Sequence, residues 1–249
     1  MSEPSLPPPP PLAPPGGFAG YAPTDWASSV RRVGGLAKAI VILLVVYAMG
    51  QAISIAMTPT AVDAAVEYIA SGDEDAFNED LVGFTAGSGL AGVAQIAVIV
   101  LSIIWLYRVA ANHRGIGRQL TWAPAWAIAG WVLPPQLYII PLMMLRESWK
   151  AAAPDVPPGS SDWKRQGEPP LVWVWFLAYS VVPIVLLALG TNQFRSMGTK
   201  RRVAEYLRDH EGLIIAGGIV SILGAITWAL LVRELTRRHA QLTGEAAQR

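Results

Sequence analysis

The 249-residue chain has no cysteine, so disulfides, thiolate metal sites and thiol nucleophiles are excluded. It is also short of charge. Only 15% of its residues are Asp, Glu, Lys or Arg, against about 25% in soluble domains. A soluble globule of this length needs more charge to cover its surface. With 53% hydrophobic residues and a mean hydropathy of +0.38, the composition points to an integral membrane protein. A net charge of +1 supplies no bulk field for nucleic acid. Catalytic signatures are missing too: no Gly-x-Ser-x-Gly elbow, no phosphate-binding Gly-Lys-Thr loop and no His-x-x-x-His metal pair. His113, His210 and His239 lie far apart in sequence and read as residues of loops or tails. No enzyme activity, cofactor or metal is expected.

Five stretches contain no Asp, Glu, Lys or Arg: 39–62, 81–107, 119–145, 169–194 and 212–232. A helix needs about 20 apolar residues to cross a hydrocarbon core of about 30 Å. The expected fold is an all-α polytopic membrane bundle with four clear spans, at about 37–57, 87–107, 171–190 and 213–232. The third stretch is broken by Pro134-Pro135, and proline in a helix interior costs about 3 kcal/mol. Residues 122–145 therefore read either as a kinked fifth span or as a re-entrant pair of short helices. A full crossing would put 11 Lys/Arg inside and 8 outside, whereas a re-entrant pair would put 14 inside and 5 outside. The positive-inside rule prefers the re-entrant pair. Both arrangements place the N-terminus in the cytoplasm and the acid-rich loop 58–86, with seven acids and no base, outside.

Residues 1–30 hold nine prolines, including Pro7–Pro11, and no Lys or Arg. Such a segment buries too little apolar surface to offset its ordering entropy, and it reads as a disordered tail able to engage a protein partner. The membrane domain is expected over 36–241 and a short tail over 242–249. Arg outnumbers Lys 15 to 4, and with abundant Ala and Gly this points to a bacterial plasma membrane.

Trp105, Trp122, Trp126, Trp149, Trp173, Trp175 and Trp228 lie near the ends of apolar runs and read as interfacial anchors. Arg108 and Asn112 share a helix face. Arg108 is read as snorkelling to lipid phosphates, pairing with Glu147, or joining Asn112 and Arg114 in an anion site. Gln51, Gln95 and Ser102 are expected to hydrogen-bond between helices. The pairs Gly83/Gly87, Ser88/Gly92 and Gly217/Ser221 allow close helix approach, either within the chain or in a homo-oligomer. The absence of Asp, Glu, His or Arg at depth argues against a proton-coupled carrier.

The run Trp105-Leu-Tyr-Arg108-Val-Ala-Ala-Asn112, followed by Pro124-Ala-Trp126, Trp131-Val-Leu-Pro134, Pro141 and Glu147-Ser-Trp149, resembles the bacterial domain of unknown function 4328 family. Leu235-Thr-Arg-Arg-His-Ala-Gln241 is similar to that family's ending. The resemblance covers roughly 36–241 and implies an architecture rather than a chemistry. It makes Trp105, Arg108, Asn112, Trp126, Trp131, Pro134, Pro141, Glu147 and Trp149 the candidate site positions. The chain departs from the pattern at Leu137 and Ile140, where the family usually carries a polar Asn and often a base. Two functions remain: a non-catalytic membrane scaffold that binds partners, or a protein handling lipid or a small molecule at the broken third segment. Membrane lipids are the expected surroundings of either.

Overall fold

Three of the five charge-free runs become helices longer than the runs themselves. A computed structural model describes residues 30–132, 136–157, 159–185 and 198–245, and every regular element among them is helical. The first helix, α1 (Gly34–Ser71), has 38 residues, about 57 Å at 1.5 Å per residue. After the short α2 (Glu74–Asp80), α3 (Val82–Gly115) runs 34 residues. Two short helices follow, α4 (Trp126–Val132) and α5 (Gln136–Ala151). Then come α6 (Pro170–Val185), α7 (Lys200–Asp209) and the 33-residue α8 (Glu211–Thr243).

Three helices, α1, α3 and α8, are long and apolar enough to cross a membrane. In their most apolar 18-residue windows only 22%, 33% and 17% of residues are buried. Ile42, Val45, Val93 and Ile96 are all more than half exposed. An apolar band this large does not face water in a monomeric soluble protein. The expected span at 171–190 is described only to Val185, as the shorter apolar helix α6. It holds an i→i+5 stretch over Leu177–Val181. The Pro-rich segment 1–29 and the tail from residue 246 lie outside the described residues.

The expected loop 58–86 is not a loop. Helix α1 continues through Pro59 to Ser71 and ends on Gly72, whose φ of 75° is the left-handed conformation that glycine tolerates. The physical reason is a second, smaller core. Ala61, Ala64 and Ala65 of α1 are buried with Phe77 of α2 and Ala204 and Leu207 of α7. Tyr68 stacks on Phe77 at 4.7 Å. The Asp73 carboxylate caps α2 by accepting from Asp75 N–H and Ala76 N–H, both at 3.0 Å. Lys200 reaches Glu74 at 2.7 Å, so α7 sits at the same end as the acid-rich segment.

At the opposite end the chain is held by polar contacts. Glu147 of α5 accepts from the Thr121 and Trp122 amides at 2.6 and 3.2 Å. The Arg118 guanidinium donates to the Ala151, Ala153 and Val156 carbonyls. Both ends of the proline-broken segment thus lie together, at the end that also holds Arg31, Glu168 and Glu245. With 7 and 16 residues, α4 and α5 pack as a hairpin, and at about 10 and 24 Å each falls short of 30 Å.

The charges separate along the long axis. Segments 31–38, 108–118, 146–168 and 233–245 carry 13 Lys/Arg and 6 Asp/Glu, whereas 63–80 and 200–211 carry 4 and 10. These are the basic end and the acidic end. The bases of α7, which stood as an excess outside in the charge count, sit beside an excess of acids.

The α1–α3 seam is made of small residues. A Cβ on Gly50 would lie 2.7 Å from the Ala91 amide nitrogen, and one on Gly87 would lie 2.8 Å from the Ser54 amide nitrogen. Gly87 of the expected Gly83/Gly87 pair therefore serves packing within the chain. Gly89 and Gly92 face open space. Ser102 accepts from Trp228 across α3 and α8, as expected, but Gln51 bonds Tyr47 within α1.

Candidate functional site

The tip of the α4–α5 hairpin carries Trp131 into an aromatic cluster between α6 and α8. Its ring centroid lies 5.5 Å from Tyr179, 6.0 Å from Trp228 and 6.4 Å from Trp175. Trp175 is stacked on one neighbour at 4.8 Å (Trp228) and on another at 5.1 Å (Tyr179). Trp105 meets Trp228 edge-on at 5.9 Å. Beside this cluster lies a cavity of about 300 Å³. Its aromatic wall is Trp131, Trp175, Tyr179 and Trp228, and its polar groups include Tyr47, Gln95 and Ser221. Such a mostly apolar pocket with a few converging polar groups is the usual form of a small-molecule site.

Three local features build it. The proline-broken hairpin delivers Trp131 to mid-bundle depth. The i→i+5 stretch of α6 carries Ala178 and Tyr179 into the lining, and such stretches concentrate at functional sites. The indole donors are treated unequally. Trp228 Nε1 donates to Ser102 Oγ at 3.1 Å and Trp105 Nε1 to Thr236 Oγ1 at 3.0 Å. Trp131 Nε1 is buried and has no acceptor among the described residues. A buried unpaired donor costs roughly 1–3 kcal/mol.

A second constellation lies at the basic end. Asn112 of α3 fixes the entering chain, its Oδ1 accepting from Arg31 N–H at 2.9 Å and its Nδ2 donating to Arg31 C=O at 2.8 Å. Nδ2 also faces His239 Nε2 at 3.0 Å, and His239 Nδ1 faces His113 Nε2 at 3.1 Å. Asn112 Nδ2 is a donor, so His239 accepts at Nε2 and carries its proton on Nδ1. His113 then accepts at Nε2 and carries its proton on Nδ1, which has no partner among the described residues. Glu245 caps α1 by accepting from Val33 and Gly34 N–H. Arg118 is fully buried, and burial lowers its guanidinium to about 10, so it remains a cation at neutral pH. Its partners are the carbonyl of Ala151 at the end of α5, where the helix dipole favours positive charge, and those of Ala153 and Val156 just beyond it.

The expected site positions distribute over both constellations. Trp105 and Trp131 join the aromatic cluster, and Asn112 joins the hydrogen-bonded group at the basic end. Arg108 donates to the Arg32 carbonyl at 3.2 Å and does not pair with Glu147, whose carboxylate is taken by two backbone amides. Trp149 is buried, with the Arg238 guanidinium 4.6 Å from its ring centroid. Pro141 is buried within α5, Trp126 is 39% exposed, and Pro134 lies outside the described residues. Interfacial anchoring fits Trp126 and Trp173 but not Trp105, Trp175 and Trp228, which are core residues. The histidines correct the sequence reading most. His113 and His239 belong to α3 and α8 and touch, although 126 residues separate them. Nothing in the local sequence marks that pairing, nor the burial of Arg118.

The family described as Domain of unknown function (DUF4328) matches residues 69–237, about two thirds of the chain. The chain belongs to this family. No curated protein and no solved structure matches it. The DUF4328 match includes the hairpin, Asn112, His113, Arg118 and the three tryptophans of the cavity wall. It begins after most of α1 and stops before His239 and Glu245. The family pattern thus spans the aromatic wall of the cavity but only one side of the hydrogen-bonded group at the basic end.

Proposed function

We propose that this chain is a non-catalytic, four-crossing protein of a bacterial plasma membrane that binds an amphipathic small molecule of lipid class in the aromatic cavity. Helices α1, α3, α6 and α8 are the crossings, and the α4–α5 hairpin enters and leaves on one side. The exposed apolar band supports the membrane placement. The excess of Lys/Arg at one end supports a cytoplasmic basic end and N-terminus. A maleimide that cannot cross membranes is expected to label Ser71→Cys in intact cells and Ser160→Cys only after lysis. The reverse pattern would invert the topology.

The observation that carries the binding reading is the cavity of about 300 Å³, with an aromatic wall of Trp131, Trp175, Tyr179 and Trp228 and polar groups that include Tyr47, Gln95 and Ser221. An apolar body with one hydrogen-bond acceptor, such as a fatty acyl or isoprenoid carbonyl, matches that wall. A diazirine-bearing fatty acid, photolysed with the purified protein, is expected to crosslink to α6 or α8. Ser221→Phe, which fills the cavity, is expected to abolish the adduct while the unfolding midpoint holds. Adducts spread evenly over the apolar band would sink the reading. The scaffold alternative rests on the proline-rich segment, nearly all of which lies outside the described residues. Deleting residues 1–25 while the adduct persists would separate the two.

A further inference from the structure

A second concavity, of about 700 Å³, opens at the basic end between the first turns of α1 and the last turns of α8. Its upper rim is polar, with Lys38, Arg233, Glu234, Arg237 and Glu245, and its floor includes Val41 and Ile42. The charges are not equivalent. Glu234 is occupied by Arg237 at 2.5 and 2.8 Å. Glu245 is occupied by the Val33 and Gly34 amides at the start of α1. Lys38 and Arg233 are exposed and have no carboxylate partner among the described residues. Below the rim, Ile42 is 64% exposed, Val45 55% and Met49 57%. These positions, three and four residues apart, form one apolar track along α1. The concavity therefore joins two unpaired cations to an apolar strip, at the level where the charge-free run of α1 begins and that of α8 ends.

We infer that this groove holds one anionic phospholipid, its phosphate between Lys38 and Arg233 and one acyl chain along Ile42, Val45 and Met49. The groove rests on the membrane placement proposed above but not on the aromatic cavity. Charge complementarity selects the headgroup, because a zwitterionic lipid brings its own cation to a site already holding two. The apolar track selects a lipid over a free phosphate. Basic recesses between helices on the cytoplasmic side of membrane proteins commonly serve anionic lipids.

The test is native mass spectrometry of the full chain, released from micelles containing equal phosphatidylglycerol and phosphatidylcholine. One phosphatidylglycerol is expected to be retained in preference to phosphatidylcholine. Each of Lys38→Gln and Arg233→Gln is expected to weaken that preference about fivefold, the effect of one cation near a headgroup. Arg165→Gln, a basic residue of the same end outside the groove, is expected to leave it unchanged. Glycerol phosphate at millimolar concentration is expected not to displace the lipid. Equal retention of the two lipids, an equal effect of all three variants, or displacement by glycerol phosphate would each overturn the assignment. Ser221→Phe separates the sites: it removes the fatty-acid adduct of the cavity and leaves phosphatidylglycerol retention intact.

Discussion

At the basic end, Asn112, His113, Arg118, His239 and Glu245 are all buried, and they tie the start of α1, the exit of α3, the end of α5 and the end of α8 to one another. At the acidic end the core is Ala61, Ala64, Ala65, Phe77, Ala204 and Leu207, and the polar contacts, such as Lys200–Glu74, are exposed. The first end is specified by directional bonds whose loss leaves buried groups unpaired. The second is specified by shape and apolar area. The same chemical change should therefore cost far more at one end than at the other.

The largest expected effect is at Arg118. Arg118→Leu leaves three buried carbonyls without their donor and is expected to cost about 3–5 kcal/mol, read as a fall in the chemical unfolding midpoint in micelles. Arg118→Lys should recover only part, since one ammonium lacks the spread of a guanidinium. Asn112→Ala comes next, at about 1–3 kcal/mol, because Arg31 loses both backbone partners and His239 its donor. Amide exchange should show Arg31 opening first.

The α1–α3 seam sharpens the comparison by shape alone. Gly50→Ala sets a methyl carbon against the Ala91 backbone and is expected to cost about 1–3 kcal/mol. Gly92→Ala meets nothing within 4 Å and is expected to stabilise by about 0.5–1 kcal/mol, the usual gain for alanine in a helix interior.

The smallest expected effects are ionic. Arg146, hydrogen-bonded to Glu168 at 2.6 Å, holds that carboxyl below its usual value of 4.5, with Lys150 adding to the pull. A carboxylate whose folded pKa is depressed stabilises above its unfolded pKa, and that contribution is lost as pH falls through the folded value. Acid unfolding should thus steepen below about pH 4.5, and Glu168→Gln should flatten it by less than about 1 kcal/mol. At the acidic end, Lys200→Gln is expected to leave the midpoint within experimental error, because both partners are exposed.

Much of the bundle was legible because a long charge-free run has few alternatives to a buried or lipid-facing helix. The hairpin was one of two readings that the adjacent prolines left open, and the distribution of bases favoured it over a crossing. The helical continuation of α1 past residue 57 was hidden by its acids, which read as a solvated loop. The overlooked signal was Ala61, Ala64, Ala65 and Tyr68, spaced at i, i+3, i+4 and i+7. The tryptophans misled because a residue near the end of an apolar run satisfies the anchoring pattern whichever way its ring points. The His113–His239 contact depends on how far α3 and α8 extend past the apolar band, and no local spacing encodes that.

The seam between Gly50 and Gly87 also fixes what this molecule is able to move. Sliding α1 past α3 by one residue, about 1.5 Å, would drive side chains into backbone atoms already near 2.7 Å from a methyl position. Those two helices therefore behave as a single stiff chassis. The α6–α8 contact at Gly224 and Ala178 is looser, with 3.8 Å to the same methyl position. Of the helices that wall the aromatic cavity, α6 is thus the one with room to shift, and its i→i+5 turn, with Tyr179 against Trp131, lies at that wall.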